Sequence, residues 1–232
     1  ARADDGPQGM KGVSLFLLPR RLDDGSLNSY RIIRLKDKPG TRSMASGEIR
    51  LEGARIDNLP PEAMRKIRGR RIGAIFQDPL TSLNPLYTIG HQIIETIQAH
   101  LPMNHAEARR RAIELLGEVG IPAPERRIDD YPHQFSGGMR QRVVIALALA
   151  ANPRLVVADE PTTALDVSIQ AQIIALLKRV AKDHGAAVML ITHDMGVIAE
   201  TAQRVAVMYA GRIIEIGAAQ DVIHAPKHPY TV

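Results

Sequence analysis

Leu155-Val156-Val157-Ala158-Asp159-Glu160, then Asp166-Val167-Ser168-Ile169, then Ala187-Val188-Met189-Leu190-Ile191-Thr192-His193 is the stretch that decides the fold. Leu155–Ala158 is a short continuous apolar run, the pattern of a strand buried on both faces. Asp166 is placed to cap a helix whose apolar residues Ile169, Ile173, Leu176, Leu177 and Val180 share one face at helical spacing. Gly185 is a natural helix stop, and Ala187–Ile191 is a second buried strand. Strand, helix and strand together predict one right-handed βαβ unit, and so an α/β fold with a parallel sheet.

Working outward, Gln77 follows another apolar strand ending at Ile75-Phe76. Residues 91 to 150 read as helical. Asn104 can cap a helix through Val119, with Glu107 and Arg111 paired one turn apart, and another helix opens at Ser136-Gly137-Gly138 and stops at Asn152-Pro153. Arg204–Tyr209 and Arg212–Ile216 flank Ala210-Gly211 as a hairpin. Residues 1 to about 45 differ: Val13–Leu18 and Tyr30–Leu35 are extended apolar runs separated by the turn signal Asp23-Asp24-Gly25-Ser26, with no helix of useful length.

Composition narrows the function classes. The 232 residues are 45% hydrophobic and 24% charged, which is globular. Cysteine is absent, so disulfide frameworks, zinc-thiolate sites and cysteine nucleophiles are excluded. Aromatic residues are 3% with no tryptophan, which argues against a base-stacking platform. A net charge of +5 discriminates little between nucleotide, membrane and nucleic-acid partners. Arg65–Arg71 is the strongest charge run; Ile67 interrupts it, and it reads as a solvated helix end rather than a nucleic-acid patch. The longest apolar run, Val143–Ala151, is too short to span a bilayer. Met10-Lys11 before Val13–Leu18 has a faint leader-like look but lacks a small-residue cleavage site, so a strand is expected there. The expectation is a soluble chain, or one held at a membrane through partners.

Chemistry concentrates at the strand exits. Ligands of open α/β sheets bind at the carboxyl ends of strands. Asp159-Glu160 lies at such an end, and adjacent carboxylates there suit a hydrated Mg²⁺ and a polarised water. His193 closes the next strand and is expected near the acidic pair, within reach of a phosphate. The helix opening at Ser136-Gly137-Gly138 offers free N–H groups to an anion, although Ser-Gly-Gly alone reads as an ordinary serine cap.

Gln77, Ser136-Gly137-Gly138, Asp159-Glu160, Asp166 and His193 in this order resemble the ATP-binding subunits of ABC transporters. Phe135–Arg142 is similar to the family signature, Leu155–Thr162 to the Walker B strand, Ala164-Leu165-Asp166 to the D-loop, and Ile191–Asp194 to the switch histidine. The resemblance covers about residues 46 to 232. Phe76–Pro85 and His228-Pro229-Tyr230-Thr231 resemble the dipeptide/oligopeptide/nickel importer branch. It implies a P-loop-NTPase-like core with a helical subdomain at about 91–150, and ATP and Mg²⁺ as cofactors. By resemblance Asp159 and Gln77 hold Mg²⁺ through water, and Glu160 is the general base. His193 contacts the γ-phosphate, and Gln77 also couples nucleotide to permease. Ser136, Gly137, Gly138, Gln141 and Asp166 belong to the ATP-binding set, the signature residues acting on the partner's nucleotide. The implied partners are transmembrane permease subunits, a second ATPase subunit and, indirectly, a solute-binding protein, with no nucleic acid. The implied location is the cytoplasmic face of the cell membrane.

The family's P-loop, Gly-x-x-x-x-Gly-Lys-Ser/Thr, is missing: none of the 18 glycines is followed by lysine. Residues 1 to about 54 instead resemble the middle β-domain of acyl-CoA dehydrogenases of the alkylation-response branch, carried by Gly12–Arg20 and Leu35–Ser43. Two segments are therefore expected, 1–45 and 46–232, with a seam within 46–54, as in a chimera whose ATPase part is truncated. The first is expected to pack poorly on the core, and ATP hydrolysis by this chain alone to be crippled. The alternatives are a flavin-linked acyl-CoA oxidoreductase fragment and a non-catalytic interaction module.

Overall fold

The computed structural model describes residues 13–17, 30–36, 46–51, 54–56, 58–162 and 165–232. In chain order these form strands β1 (Val13–Leu17), β2 (Tyr30–Lys36), β3 (Ser46–Leu51) and β4 (Ala54–Arg55), then helix α1 (Pro61–Ile67) and β5 (Ile72–Ile75). The helical stretch holds α2 (Pro79–Ser82), α3 (Ile89–His100), α4 (His105–Glu118), α5 (Pro124–Arg127) and α6 (Gly137–Leu149). Then come β6 (Leu155–Asp159), α7 (Val167–Asp183), β7 (Ala187–Thr192), α8 (Met195–Thr201), β8 (Arg204–Tyr209), β9 (Arg212–Ala218) and α9 (Ala219–His224). They fall into two compact units, residues 1–65 with 189–232, and residues 66–188.

In the second unit, β5 and β6 pair in parallel with Ile72 opposite Leu155 and Ile75 opposite Ala158. Ala187 N–H donates to the Arg154 carbonyl (2.9 Å), which sets the start of β7 beside the start of β6. Leu155, Val156 and Ala158 are buried, as their unbroken apolar run requires. Ile173, Leu176, Leu177 and Val180 of α7 are buried, and Ile174 joins them. Gly185 (φ +62) ends α7 in a Schellman motif: Ala186 N–H bonds the Ala181 carbonyl and Gly185 N–H the Lys182 carbonyl. Asp166 stands at the N-cap of α7 but makes no capping hydrogen bond, which corrects the expected side-chain cap. Asn104 does cap α4, in a capping box with Glu107. Gly73 lets α6 sit on β5, since a Cβ there would lie 2.2 Å from the Ala148 carbonyl oxygen.

In the first unit, β2, β3 and β4 form one antiparallel sheet. β8 and β9 form the expected hairpin; Ala210 (φ +48) and Gly211 (φ +77) give it a turn with two left-handed residues, and β9 runs on to Ala218. β1 lies between β7 and β8, antiparallel to both, with Leu15 opposite Ile191 and Ala206. That corrects the expectation of poor packing at Val13–Leu17. The backbone N–H and C=O groups of β7 and β8 need partners, and a short β-prone segment supplies them on both edges. The rest of the N-terminal expectation, including the turn at 23–26 and the stretch 37–45, lies outside the described residues.

Candidate active site

β6 delivers Asp159 as its last residue and Glu160 as the first residue beyond it. Burial pushes the Asp159 carboxyl above its usual range, and the neighbouring Glu160 charge adds to that. Glu160 has φ +44, a left-handed backbone that a residue with a Cβ adopts at a cost. The turn swings its side chain to Gln77, whose Nε2 donates to Glu160 Oε2 (2.8 Å). Two residues 83 apart in sequence therefore meet at the exits of the paired strands β5 and β6. Asp159 is a half-buried carboxylate at a strand end beside a second acid, a donor set that fits a hydrated divalent cation, because the cation offsets the cost of keeping it ionised.

Ser136 caps α6, its Oγ accepting from Met139 N–H (3.4 Å). Gly137 and Gly138 form its first turn, with the N–H groups of a helix start. A Cβ at Gly138 would lie 3.1 Å from Ile169 Cγ2 of α7, so glycine permits this close approach. Gln141 is fully buried, and neither of its amide atoms has a hydrogen-bond partner. Asp166 is exposed at the start of α7.

In the first unit, His193 follows β7 and precedes α8, whose N-cap Asp194 accepts from the N–H groups of Gly196 (2.8 Å) and Val197 (3.2 Å). Also in this unit, the Glu215 carboxylate of β9 accepts from Lys227 N–H (2.8 Å) and His228 N–H (3.2 Å), fixing the His228–Thr231 stretch.

Sequence reasoning missed the role of Arg142, although it quoted the residue. Its guanidinium donates to the Val119 carbonyl (2.8 Å) and to Gln172 Oε1 (3.3 Å), joining α6 to the end of α4 and to α7. It also missed an exposed apolar stretch after β5: Phe76, Leu80, Leu86 and Tyr87 are 61, 58, 79 and 47% exposed. Alternating Pro, Asn and Asp with large apolar residues in 76–87 was the available signal. Among the described residues, no helix is long and apolar enough to cross a membrane.

A family profile described as ABC transporter matches residues 32–163, more than half the chain. The chain is 50% identical over 221 residues to the oligopeptide transport ATP-binding protein OppD of Bacillus subtilis, covering 95% of this chain and 62% of that one. It is 50% identical over 206 residues to the dipeptide transport ATP-binding protein DppD of Escherichia coli, covering 89% and 62%. The chain thus spans less than two thirds of these curated relatives. Among solved structures, a dimeric post-hydrolysis state of the ATP-binding cassette MJ0796 bound to ADP and Pi superposes with a TM-score of 0.65 at 32% identity, covering 79% of this chain and 75% of that one. The structure of cbiO1 from Clostridium perfringens, part of the ABC transporter complex cbiONQ, gives 0.68 at 28% identity, covering 78% and 69%. The profile match, the curated relatives and the shared fold agree: the chain belongs to the ABC transporter family.

Proposed function

We propose that this chain is an ATP-binding subunit of an importer for peptides or related solutes, of the dipeptide/oligopeptide/nickel branch, working at the cytoplasmic face of a membrane. The observation that carries the reading is the acidic pair at the exit of β6 with Gln77 bonded to Glu160. Asp159 would hold Mg²⁺ through water, with Gln77 as its neighbour. Mg²⁺ supplies neutralisation of phosphate charge. Glu160 is the general base that takes a proton from the attacking water once Gln77 releases it, and His193 donates a hydrogen bond to the γ-phosphate. Ser136, Gly137 and Gly138 present helix-start N–H groups to the nucleotide of a second subunit, with Asp166 at that same face. The exposed Phe76–Tyr87 stretch suits a permease, so that Gln77 reports nucleotide state to it.

Residues 1–232 do not fit the family's grip on ATP in this chain's own site, because the P-loop pattern is absent from the sequence. The reading is an ATPase subunit that completes its partner's site through α6 while its own site is impaired; the profile match from residue 32 runs into the segment whose sequence resembles a dehydrogenase, and gives that resemblance no support. The flavin oxidoreductase alternative has no observation in its favour.

The test uses purified chain alone and mixed with a P-loop-bearing homologous subunit. Alone it should show no ATPase activity, and Glu160→Gln should change nothing. Replacing residues 1–45 with a P-loop segment from a relative should restore hydrolysis, which Glu160→Gln then abolishes. Micromolar Mg-ATP binding to the unmodified chain by calorimetry would overturn the impaired-site reading.

A further inference from the structure

Gln141 lies in the early part of α6 and is fully buried, yet neither its amide oxygen nor its amide nitrogen meets a hydrogen-bond partner. A buried polar group left unmet costs stability that an apolar side chain of the same size would not. Both atoms are unmet, so exchanging oxygen and nitrogen in the assignment changes nothing. Such a cost calls for a use, and the position of Gln141 supplies one.

The last turn of α6 meets the start of β5, where a Cβ on Gly73 would collide with the Ala148 carbonyl and touch Pro153. α2, which follows the exit of the same strand, also packs on α6. The helix therefore spans β5 from exit to start, antiparallel to it. Gln141 stands seven residues before Ala148, about 10 Å back along the helix axis. Three residues of a strand cover about the same 10 Å, which carries β5 from Gly73 to Phe76 and β6 from Val156, the partner of Gly73, to Asp159. Gln141 is thus level with the strand exits. Gly73 and the buried Ile75 are the β5 residues on the α6 side, and Gln77 follows at the next alternate position. At that exit Gln77 Nε2 donates to Glu160 Oε2 (2.8 Å).

We propose that Gln141 is the second seat of Gln77: when a nucleotide binds at the start of α6, the Gln141 amide oxygen takes the Gln77 Nε2 hydrogen bond away from Glu160. The exchange breaks one bond and makes one. It frees the Glu160 carboxylate without leaving the Gln77 donor unmet, and it satisfies one orphaned buried atom. Gly138 precedes Gln141 by three residues on the same helix, so an anion drawn to the Ser136-Gly137-Gly138 turn shifts Gln141 with it. Gln141 is then a positioning residue that acts on the base through Gln77. It links occupancy of the partner's nucleotide site to release of this chain's own base. The inference rests on the reading of α6 as the arm that completes that site, and adds the group through which the two sites communicate.

The test mixes ¹⁵N-labelled full-length chain with an unlabelled P-loop-bearing homologous subunit and adds Mg-ATP. The side-chain amide signals of Gln77 and Gln141 are identified by their loss in Gln77→Ala and Gln141→Met, and the Gly138 backbone amide reports the arrival of nucleotide at α6. Mg-ATP should shift Gly138, and both side-chain amides should follow the same saturation curve. In Gln141→Met, Gly138 should still shift while the Gln77 side-chain amide stays in place. In Gln77→Ala the Gln141 amide should stay in place. A second readout needs no nucleotide: Gln141→Met, apolar and of similar volume, should raise the thermal midpoint of the chain alone by about 2–4 °C, because it removes the orphaned amide. A Gly138 that moves while native Gln77 stays still, a Gln77 shift that persists in Gln141→Met, or a lowered midpoint in Gln141→Met overturns the inference. A Gly138 that does not move overturns the reading of α6 itself, and the inference with it.

Discussion

Asp159 and Glu118 are both partly buried carboxylates of the same unit, and their surroundings act on them in opposite directions. Burial pushes the Asp159 carboxyl up, with Glu160 adding a like charge. Glu118 is also partly desolvated, yet His184 and Arg111 bring it below its usual range. The backbone follows the same division. Beside Asp159, Glu160 is held in a left-handed conformation, whereas the end of α4 is satisfied by Arg142 and Arg179 on its last carbonyls. One region keeps charge at a cost in stability. The other spends its charges on holding helices together.

The largest expected contrast is between two alanine variants. Glu118→Ala removes hydrogen bonds to His184 and Arg111 and leaves two polar groups without their partner. Allowing for solvent screening of a side chain 35% exposed, the loss should be about 1.5–3 kcal/mol in urea unfolding at neutral pH. Asp159→Ala removes a charge that folding disfavours, and should leave stability within about 0.5 kcal/mol or raise it. Equal losses in the two variants would break the comparison.

The pH dependence carries the same opposition. Glu118 has a lowered value in the folded chain, so its contribution is present above its unfolded value and is lost as pH falls through the folded one. Asp159 has a raised value, so its contribution is present below its unfolded value and is lost as pH rises through the folded one. In unfolding followed through the carboxylate range, Glu118→Gln should therefore soften acid denaturation. Asp159→Asn should remove a decline on the way up to neutrality. Mg²⁺ should raise the native midpoint at neutral pH and leave Asp159→Asn unmoved.

Glu160 offers a smaller and more local probe. A left-handed conformation costs a residue with a Cβ about 1–2 kcal/mol, and glycine escapes this at the expense of extra chain entropy. Glu160→Gly should therefore be more stable than Glu160→Ala by about 0.5–1 kcal/mol, the reverse of the order in a helix or strand. Identical stabilities would mean that the turn stores no strain.

Much of this was legible before any coordinates. The apolar run of β6, the 3.6-residue period of α7 and the glycine after it are local patterns, and local patterns determine local structure. The candidate site could be read only as a set of residue types at strand and helix ends. Its internal connections were not. The Gln77–Glu160 bond spans 83 positions and the His184–Glu118 bond 66, and no local pattern encodes a pairing at that distance. The burial of Gln141 was hidden because α6 is apolar around most of its circumference, so the sequence does not show which face is outward. The pairing of Val13–Leu17 was unreadable for a related reason: β-propensity says that a segment will extend, not which edges it will fill.

The smallest expected effect is at the joint between α4 and the segment after α5. Arg109 Nη1 and Nη2 each donate to Asp129, to Oδ1 and Oδ2 at 2.9 Å. The Arg109 hydrogen bonds pull the Asp129 carboxyl down, the same direction as at Glu118. The pair is joined by two parallel hydrogen bonds, where Arg111 makes one to Glu118. Its side chains, however, are 38% and 62% exposed, so water already solvates both charges in the unpaired state. A double-mutant cycle on Arg109→Ala and Asp129→Ala should give a coupling of about 0.2–1 kcal/mol at low salt, fading as ionic strength rises. The same cycle on Arg111 and Glu118 should give a larger coupling that salt weakens less, because that pair is more shielded from solvent. If the exposed pair couples as strongly as the shielded one, then burial is not what separates the charges that hold this unit together from those that do not.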